Sequence, residues 1–444
     1  MPMTMSFVHI TNIIMTIFSV WTMILLVYQI AIGFFGYGKK KNSYEPHDPK
    51  LKYLILVPAH NEEKVIGDII RNLQSMDYPK ELYDFYILAD NCTDNTAGIA
   101  AELGANVLES HKEGPDAPTG KPIALQKALE ALPDYADKYD LVMFFDADNL
   151  MDTGMLREVN SQFLSMNDNV QVVQCYLGCK NRKGLVALFY YMSYTITNRF
   201  FQLAKSRLGL NCVIGGTGFA IRSGYLKQRG GWTSMSLTED FEMQIQATCE
   251  GKQIAWNHNV RIYDEKPTRF KASFRQRVRW AQGHWFVTFR NTKSLFQALF
   301  HKTISFSEFV STFFYMYSLT PFVILFIQLL IGIIELILML TGAIPMELEI
   351  PTFSAWISSN WFSLLLFFYS FFLLFFIAEW QDNQIKTRLI DVPVMLLSLL
   401  MNTFVAGFAQ VVGLVLHRRQ NHWVKTEHNI QQNQQEMLKN LKKL

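Results

Sequence analysis

Long apolar runs flank one extended stretch of mixed character in this chain. Residues 7–35, 306–341, 352–380 and 391–416 are each long enough to cross the ~30 Å hydrocarbon core of a bilayer, whereas 39–300 alternates short apolar runs with polar turns, as a soluble domain does. Within that stretch, 53–58 reads as a short buried strand ended by proline, and 64–76 carries Val65, Ile69, Ile70 and Leu73 at helical spacing. A second strand at 85–89 stops at Asp90-Asn91-Cys92-Thr93-Asp94, and a helix follows. A strand at 105–109, a helix at 121–132 and an interior strand at 141–145 come next, the last running straight into Asp146-Ala147-Asp148. Strand alternating with helix predicts an α/β domain on a parallel sheet with helices on both faces. Ligands of such sheets gather at the carboxyl ends of the strands, where Asp90 and the Asp146/Asp148 pair fall.

Composition adds a membrane to this picture. The chain has 444 residues, half of them hydrophobic and only 18% charged, which gives room for more than one domain and is too apolar for an ordinary soluble protein. The first run lacks a basic start and a small-residue cleavage site, so it predicts a retained N-terminal transmembrane helix over 1–38. Lys39, Lys40 and Lys41 follow it, which by the positive-inside rule sets the N-terminus outside and a domain over 39–280 in the cytoplasm, with the plasma membrane as its expected location. As one helix, 306–341 would extend roughly 54 Å, so a break at Pro321 is expected, with interfacial helices over 281–318, transmembrane helices over 319–417 and a polar tail over 418–444. Three crossings after the domain would leave that tail outside, yet Arg418, Arg419 and Lys425 favour an inside tail, which is the expectation adopted. All five cysteines lie in the domain, where a reducing compartment keeps them as thiols, and Cys175 and Cys179 lack a second pair at metal-finger spacing. A net charge of +3 is too small for a nucleic-acid binder; lipid headgroups and phosphate-bearing substrates suit the local basic residues better.

Several short motifs carry chemistry, each beside a plainer reading. Asp146 and Asp148 at a strand mouth can hold Mg²⁺ or Mn²⁺ whose remaining positions take diphosphate oxygens, or can be a solvated loop. Asp90 suits a nucleoside contact or a turn. Gly120-Lys121-Pro122 opens a helix where a phosphate could meet Lys121, or presents an ordinary surface lysine. Gly215 to Gly218 allows a ligand close to the backbone, or a tight turn. Thr238 can cap the helix that starts near Phe241, while Asp240 is the candidate to take a proton from an acceptor hydroxyl. In Gln276-Arg277-Val278-Arg279-Trp280 a guanidinium fork suits phosphate oxygens, the indole a sugar ring and the glutamine its hydroxyls. The same segment, with Arg269, Lys271, Arg275 and Arg290, also reads as a basic amphipathic helix seeking anionic lipid.

Taken in order, His60-Asn61-Glu62, Asp90, Lys121, Asp146-Ala147-Asp148, Thr238-Glu239-Asp240 and Gln276 to Trp280 resemble the family 2 glycosyltransferases. The likeness is to the membrane-embedded synthases of the cellulose, chitin, hyaluronan and poly-N-acetylglucosamine kind, and by motif order it covers residues 50–300. It implies a GT-A, Rossmann-like domain joined to an α-helical transmembrane region, and an inverting, processive transfer from a nucleoside-diphosphate sugar, a UDP-sugar being expected, to a growing β-linked glycan. It further implies Glu62, Asp90, Lys121, Asp146 and Arg279 at the donor, Asp146 and Asp148 at the metal, Asp240 as base, and Glu239, Gln276 and Trp280 at the acceptor. The segment from Trp423 through Thr426 to His428 is similar to an element near the end of some members, and residues 430–444 carry no visible chemistry. Trp356, Trp361, Phe368 and Trp380 are either sugar-stacking surfaces or lipid contacts. Two departures stand out: Ala89-Asp90 replaces the usual paired aspartates, and one apolar run rather than two or more precedes the domain. Two rival readings are a single-addition transferase acting on a membrane lipid and a non-catalytic transport or scaffold protein with a degenerate domain.

Overall fold

The computed structural model describes residues 3–38, 44–112, 114, 119–341, 370–382, 387–420, 428, 430, 431 and 435–437. Its strands are β1 (Tyr53–Ala59), β2 (Tyr83–Asp90), β3 (Asn106–Ser110), β4 (Leu141–Phe144), β5 (Leu150–Met151), β6 (Val170–Cys179), β7 (Phe219–Arg222) and β8 (Gln253–Asp264), in one sheet of order β3-β2-β1-β4-β7-β6-β8-β5. The longer helices are α1 (Met3–Gly33), α2 (Ile66–Gln74), α3 (Thr96–Glu102), α4 (Lys121–Ala131), α5 (Met155–Ser165), α6 (Leu185–Ile196), α7 (Glu239–Cys249), α8 (Phe270–Phe300), α9 (Phe306–Met316), α10 (Thr320–Leu340), α11 (370–382) and α12 (Val392–Leu416).

Side chains alternate across β1, and each set has its own core. Tyr53, Ile55 and Val57 pack with Ile66, Ile69, Ile70 and Leu73 of α2, while Leu54 and Leu56 pack with Leu125 and Leu129 of α4 and with Phe144 and Trp232. Burial on both faces is why β1 reads as a nearly unbroken apolar run.

The sheet is mixed, which corrects the expectation of a parallel one. Strands β1 to β4 run parallel, but β7 is antiparallel to both β4 and β6, and β5 is antiparallel to β8. The reason lies in where β7 begins. Phe219 pairs with Phe144, the last residue of β4, so β7 starts at the end of the sheet where β4 finishes and runs back from it.

Among the described residues, Thr16–Gly36 and Val392–Leu416 are long and apolar enough to cross a membrane. Phe306–Met316 and Thr320–Ile334 pass that test together but bend by 44° at the break between them. Pro321 sits in the first turn of α10, where its missing N–H costs nothing. Helix α8 continues without interruption through residue 280, so the motif Gln276 to Trp280 and the segment after it share one rod. That rod meets α12 closely: a Cβ on Gly413 would lie 2.2 Å from Ala281 Cβ. Trp380 is 72% exposed and so faces outward, as a lipid contact would, whereas Trp356, Trp361, Phe368 and Trp423 lie outside the described residues. All five cysteines are free thiols.

Candidate active site

The carboxyl ends of β1, β2 and β4 supply most of the polar groups at one edge of the sheet. Asp90 closes β2, is buried, and accepts from Ser110 Oγ at 2.7 Å, Asn91 Nδ2 at 2.8 Å and Gly120 N at 3.4 Å. Asn61 and Asn91, directly after β1 and next to Asp90, adopt left-handed φ values of 57° and 52°. Asparagine tolerates that conformation better than most residues, and Asn61 Oδ1 accepts from Thr93 N at 2.7 Å, tying the two strand ends together.

Gly120 has φ 112° and swings the chain into α4, whose first residue is Lys121. Lys121 Nζ then reaches Asp146 Oδ1 at 2.6 Å and Glu239 Oε1 at 3.7 Å, so three separate segments meet at one ammonium. Burial opposes its charge, but Asp146 and Glu239 outweigh that cost and hold its pKa above the ordinary value. Asp146 N donates to Asn149 Oδ1 and to Thr217 Oγ1, both at 3.0 Å, which fixes the turn after β4.

Asp148 is 4% exposed; its Oδ2 accepts from Glu265 N at 2.6 Å and its carbonyl from Lys180 Nζ at 2.8 Å. The tail comes back to this spot. His428 Nδ1 lies 3.2 Å from Glu62 Oε1, and Ile430 N donates to Glu265 Oε2 at 2.9 Å. Burial works against charge on His428, but Asp148 and Glu62 push its pKa up to about 9. Farther on, Met437 is buried in a cluster with Leu188, Tyr191, Tyr263 and Met395.

Glu239 and Asp240 open α7. The side chain of Thr238 does not cap that helix, contrary to expectation; its hydroxyl has no hydrogen-bond partner. The reason is close packing, because a Cβ on Gly283 of α8 would lie 2.5 Å from Thr238 Oγ1. Asp240 Oδ1 accepts from Phe241 N at 2.8 Å, and its Oδ2 would be 3.1 Å from a Cβ on Gly216, whose φ is +81°. Glycine at 216 therefore serves both the turn and the space for this carboxylate. Burial raises the pKa of Asp240, and pushes Glu239 up to about 7 against the pull of Lys121.

That shift has a stability consequence. Between the ordinary value of 4.5 and about 7, native Glu239 keeps a proton that the unfolded chain has already released, so its contribution to stability falls as pH rises through that window. Relative to Glu239→Gln, the wild type is expected to lose stability as pH rises from 4.5 to about 7. Thermal melts of both proteins across the window check this, and a constant difference between them would contradict it.

Helix α8 supplies the last groups. Arg279 donates to Leu237 O at 3.1 Å and stands close enough to Glu239 and Asp240 to lower both their pKa values. Gln276 Oε1 accepts from Tyr190 OH at 3.1 Å, and Trp280 meets the Tyr190 ring edge-on with centroids 6.1 Å apart. Arg277 lies over Phe189 and Tyr190, at 4.8 and 4.6 Å. Hydrogen bonds and chain neighbours thus link Glu62, Asp90, Lys121, Asp146, Asp148, Glu239, Asp240, Gln276, Arg279 and Trp280 into one polar region. Tyr190, Ser110, Glu265 and Gly283 also belong to it without any motif to announce them, and only His428 had a local signal.

A family model described as "Glycosyltransferase like family 2" matches residues 49–283, more than half of the chain. The chain belongs to that family. The probable glycosyltransferase YdaM of Bacillus subtilis (strain 168) is 26% identical over 304 residues, covering 67% of this chain and 71% of its own. The beta-monoglucosyldiacylglycerol synthase of Nostoc sp. (strain PCC 7120 / SAG 25.82 / UTEX 2576) is 29% identical over 231 residues, covering 52% of this chain and 48% of its own. The poly-beta-1,6-N-acetyl-D-glucosamine synthase of Staphylococcus epidermidis is 24% identical over 242 residues, covering 53% and 55%. The match thus spans about half the length of the last two relatives. Among solved structures, the mannosyltransferase PcManGT from Pyrobaculum calidifontis, in complex with GDP-Man and Mn2+, superposes with a TM-score of 0.55 at 15% identity, over 87% of this chain and 94% of that one. The fold of this family 2 glycosyltransferase is accordingly GT-A, joined to apolar helices of membrane-crossing length.

Proposed function

We propose that the chain is an inverting transferase that moves a sugar from a nucleoside-diphosphate donor to a hydroxyl of a growing β-linked glycan at a membrane surface. The observation that carries this reading is Lys121, whose ammonium touches Asp146 on one side and approaches Glu239, the neighbour of Asp240, on the other. A base and a diphosphate anchor then lie within one side chain's reach. The acceptor oxygen attacks the anomeric carbon, its proton passes to Asp240, and the bond to the diphosphate breaks on the opposite face. One displacement without an enzyme nucleophile inverts the anomeric centre. Lys121 and Arg279 stabilise the negative charge that builds on the departing diphosphate. Asp90 meets the nucleoside, Glu62 supports the donor side, and Gln276 and Trp280, backed by Tyr190, receive the acceptor sugar beside Glu239.

Asp146 and Asp148 suit a hard divalent cation, because both offer carboxylate oxygens and Asp146 keeps 39% of its side chain open. Among the described residues no group of three or more His, Cys, Asp and Glu surrounds a common point, so diphosphate oxygens would complete the shell. Mg²⁺ or Mn²⁺ held there would neutralise the donor's phosphates. Asp148→Ala is expected to weaken donor binding in Mn²⁺ by at least about tenfold and to leave binding in EDTA unchanged. Calorimetry with and without the ion tests it, and wild-type affinity in Mn²⁺ would remove the cation from this account.

A second acceptor class, a membrane lipid, is favoured by the apolar contact between the motif helix and α12, where Phe274 of α8 stacks on Phe408 at 5.8 Å. The relative whose name is beta-monoglucosyldiacylglycerol synthase points the same way. Labelled nucleotide sugars supplied to the purified protein in lipid separate the two: high-molecular-weight glycan supports the first reading, and a one-sugar lipid replaces it by the second. Absence of any transfer would favour a scaffold with a degenerate domain. The domain works on the cytoplasmic side, with the plasma membrane as its proposed home.

A further inference from the structure

We infer that Lys121 is a resident counter-ion that keeps Asp146 closed to a metal ion until a diphosphate arrives, so that metal and donor enter as a pair. The inference rests on the reading of Asp146 and Asp148 as the metal-holding residues, and it adds an order of binding to that reading.

The ammonium is tightly placed. It lies 2.6 Å from Asp146 Oδ1, 2.5 Å from the Gly216 carbonyl and 3.7 Å from Glu239 Oε1, with 16% of the side chain exposed. Its stem is fixed as well, because Lys121 is the first residue of α4, directly after the left-handed turn at Gly120. One oxygen of Asp146 is therefore already committed to a positive charge. Asp148 gives little compensation, since its Oδ2 is held by Glu265 N at 2.6 Å and its Oδ1 accepts from Asn149 Nδ2 at 3.3 Å.

A divalent cation arriving alone would have to share Asp146 with this ammonium at a separation of a few ångströms. Like charges that close repel, a doubly charged ion twice as strongly as a singly charged one, and in a partly buried site the repulsion is less screened than in water. A nucleotide's diphosphate changes the balance in two ways. It brings negative charge of its own, and it offers Lys121 oxygen acceptors that replace Asp146, freeing the carboxylate.

The test measures Mn²⁺ uptake by the full chain in detergent, from the loss of the free-ion electron paramagnetic resonance signal. UDP and GDP are the probes, each corrected for its own affinity for the ion. Without nucleotide, Lys121→Met is expected to bind Mn²⁺ at least about tenfold more tightly than wild type, while Lys121→Arg, which keeps the charge, behaves as wild type. With UDP or GDP, the wild type is expected to gain at least about tenfold. If Lys121→Met and wild type take up Mn²⁺ equally without nucleotide, while wild type binds it with nucleotide, the counter-ion role is wrong and the metal reading survives. If no form binds Mn²⁺ with either nucleotide, or if Asp146→Asn binds it as well as wild type, the metal reading itself falls. Circular dichroism of Lys121→Met, compared with Lys121→Arg, verifies that the fold is retained.

Discussion

Replacing Asp240 by asparagine is expected to lower kcat by about 10²–10⁴-fold, the usual contribution of a positioned general base. Donor affinity should stay within about twofold, because a group that acts only in the transition state changes kcat and not ground-state binding. Asparagine matches the carboxylate in shape, and its oxygen can still accept from Phe241 N, which Asp240 Oδ1 does at 2.8 Å. It also fits beside Gly216, where the existing side chain already approaches closely. Only the basicity is lost. A second signature follows from the neighbouring acid: Asp240 helps to raise Glu239, so Glu239 should titrate at lower pH in the variant. Single-turnover rates, donor calorimetry and a pH profile read these effects, and unchanged turnover would show that another group takes the proton.

Gly283→Ala is expected to be as damaging by a purely steric route. The added methyl would lie 2.5 Å from Thr238 Oγ1, 2.7 Å from its Cγ2 and 2.7 Å from its backbone nitrogen. The last of these is a backbone atom and cannot move without shifting the turn that carries Glu239 and Asp240. Overpacking of this sort costs about 1–3 kcal/mol of stability. A displacement of the base by about 1 Å costs on the order of 10²-fold in rate. Gly332→Ala is the control, since nothing lies within 4 Å of a Cβ there. If both variants melt and turn over alike, α8 does not press on the turn as described.

What the sequence reveals here divides along physical lines. Short strands buried on both faces, such as β1 and β4, announce themselves as apolar runs ended by proline or aspartate, because burial leaves no choice of residue type. The carboxylates at their ends are equally visible, since oxygen chemistry needs Asp at those positions. Strand direction is not visible in this way: β7 carries the same apolar character whether it runs with or against β4, and only the place where the chain re-enters the sheet decides it. Contacts between segments far apart in the chain are hidden too. Thr238 looks like a helix cap until Gly283 is found against it, and nothing local connects His428 to Glu62. Tyr190 lies in an aromatic run that reads simply as core, although its hydroxyl meets Gln276.

The small residues on α8 carry one more implication. On one side of the rod Gly283 touches the turn bearing the base; two residues earlier Ala281 meets Gly413 of α12. With 25 residues, α12 extends roughly 37 Å, longer than a ~30 Å hydrocarbon core, so a bilayer that it crossed would be matched by tilt or by local thickening. On the proposed reading, thinner or thicker bilayers would change that match, and the contacts of the rod with α12 and with the turn offer a route to the reacting groups. Enzyme reconstituted in vesicles of graded acyl-chain length should turn over at graded rates, making the host lipid a rheostat for the chemistry beside it.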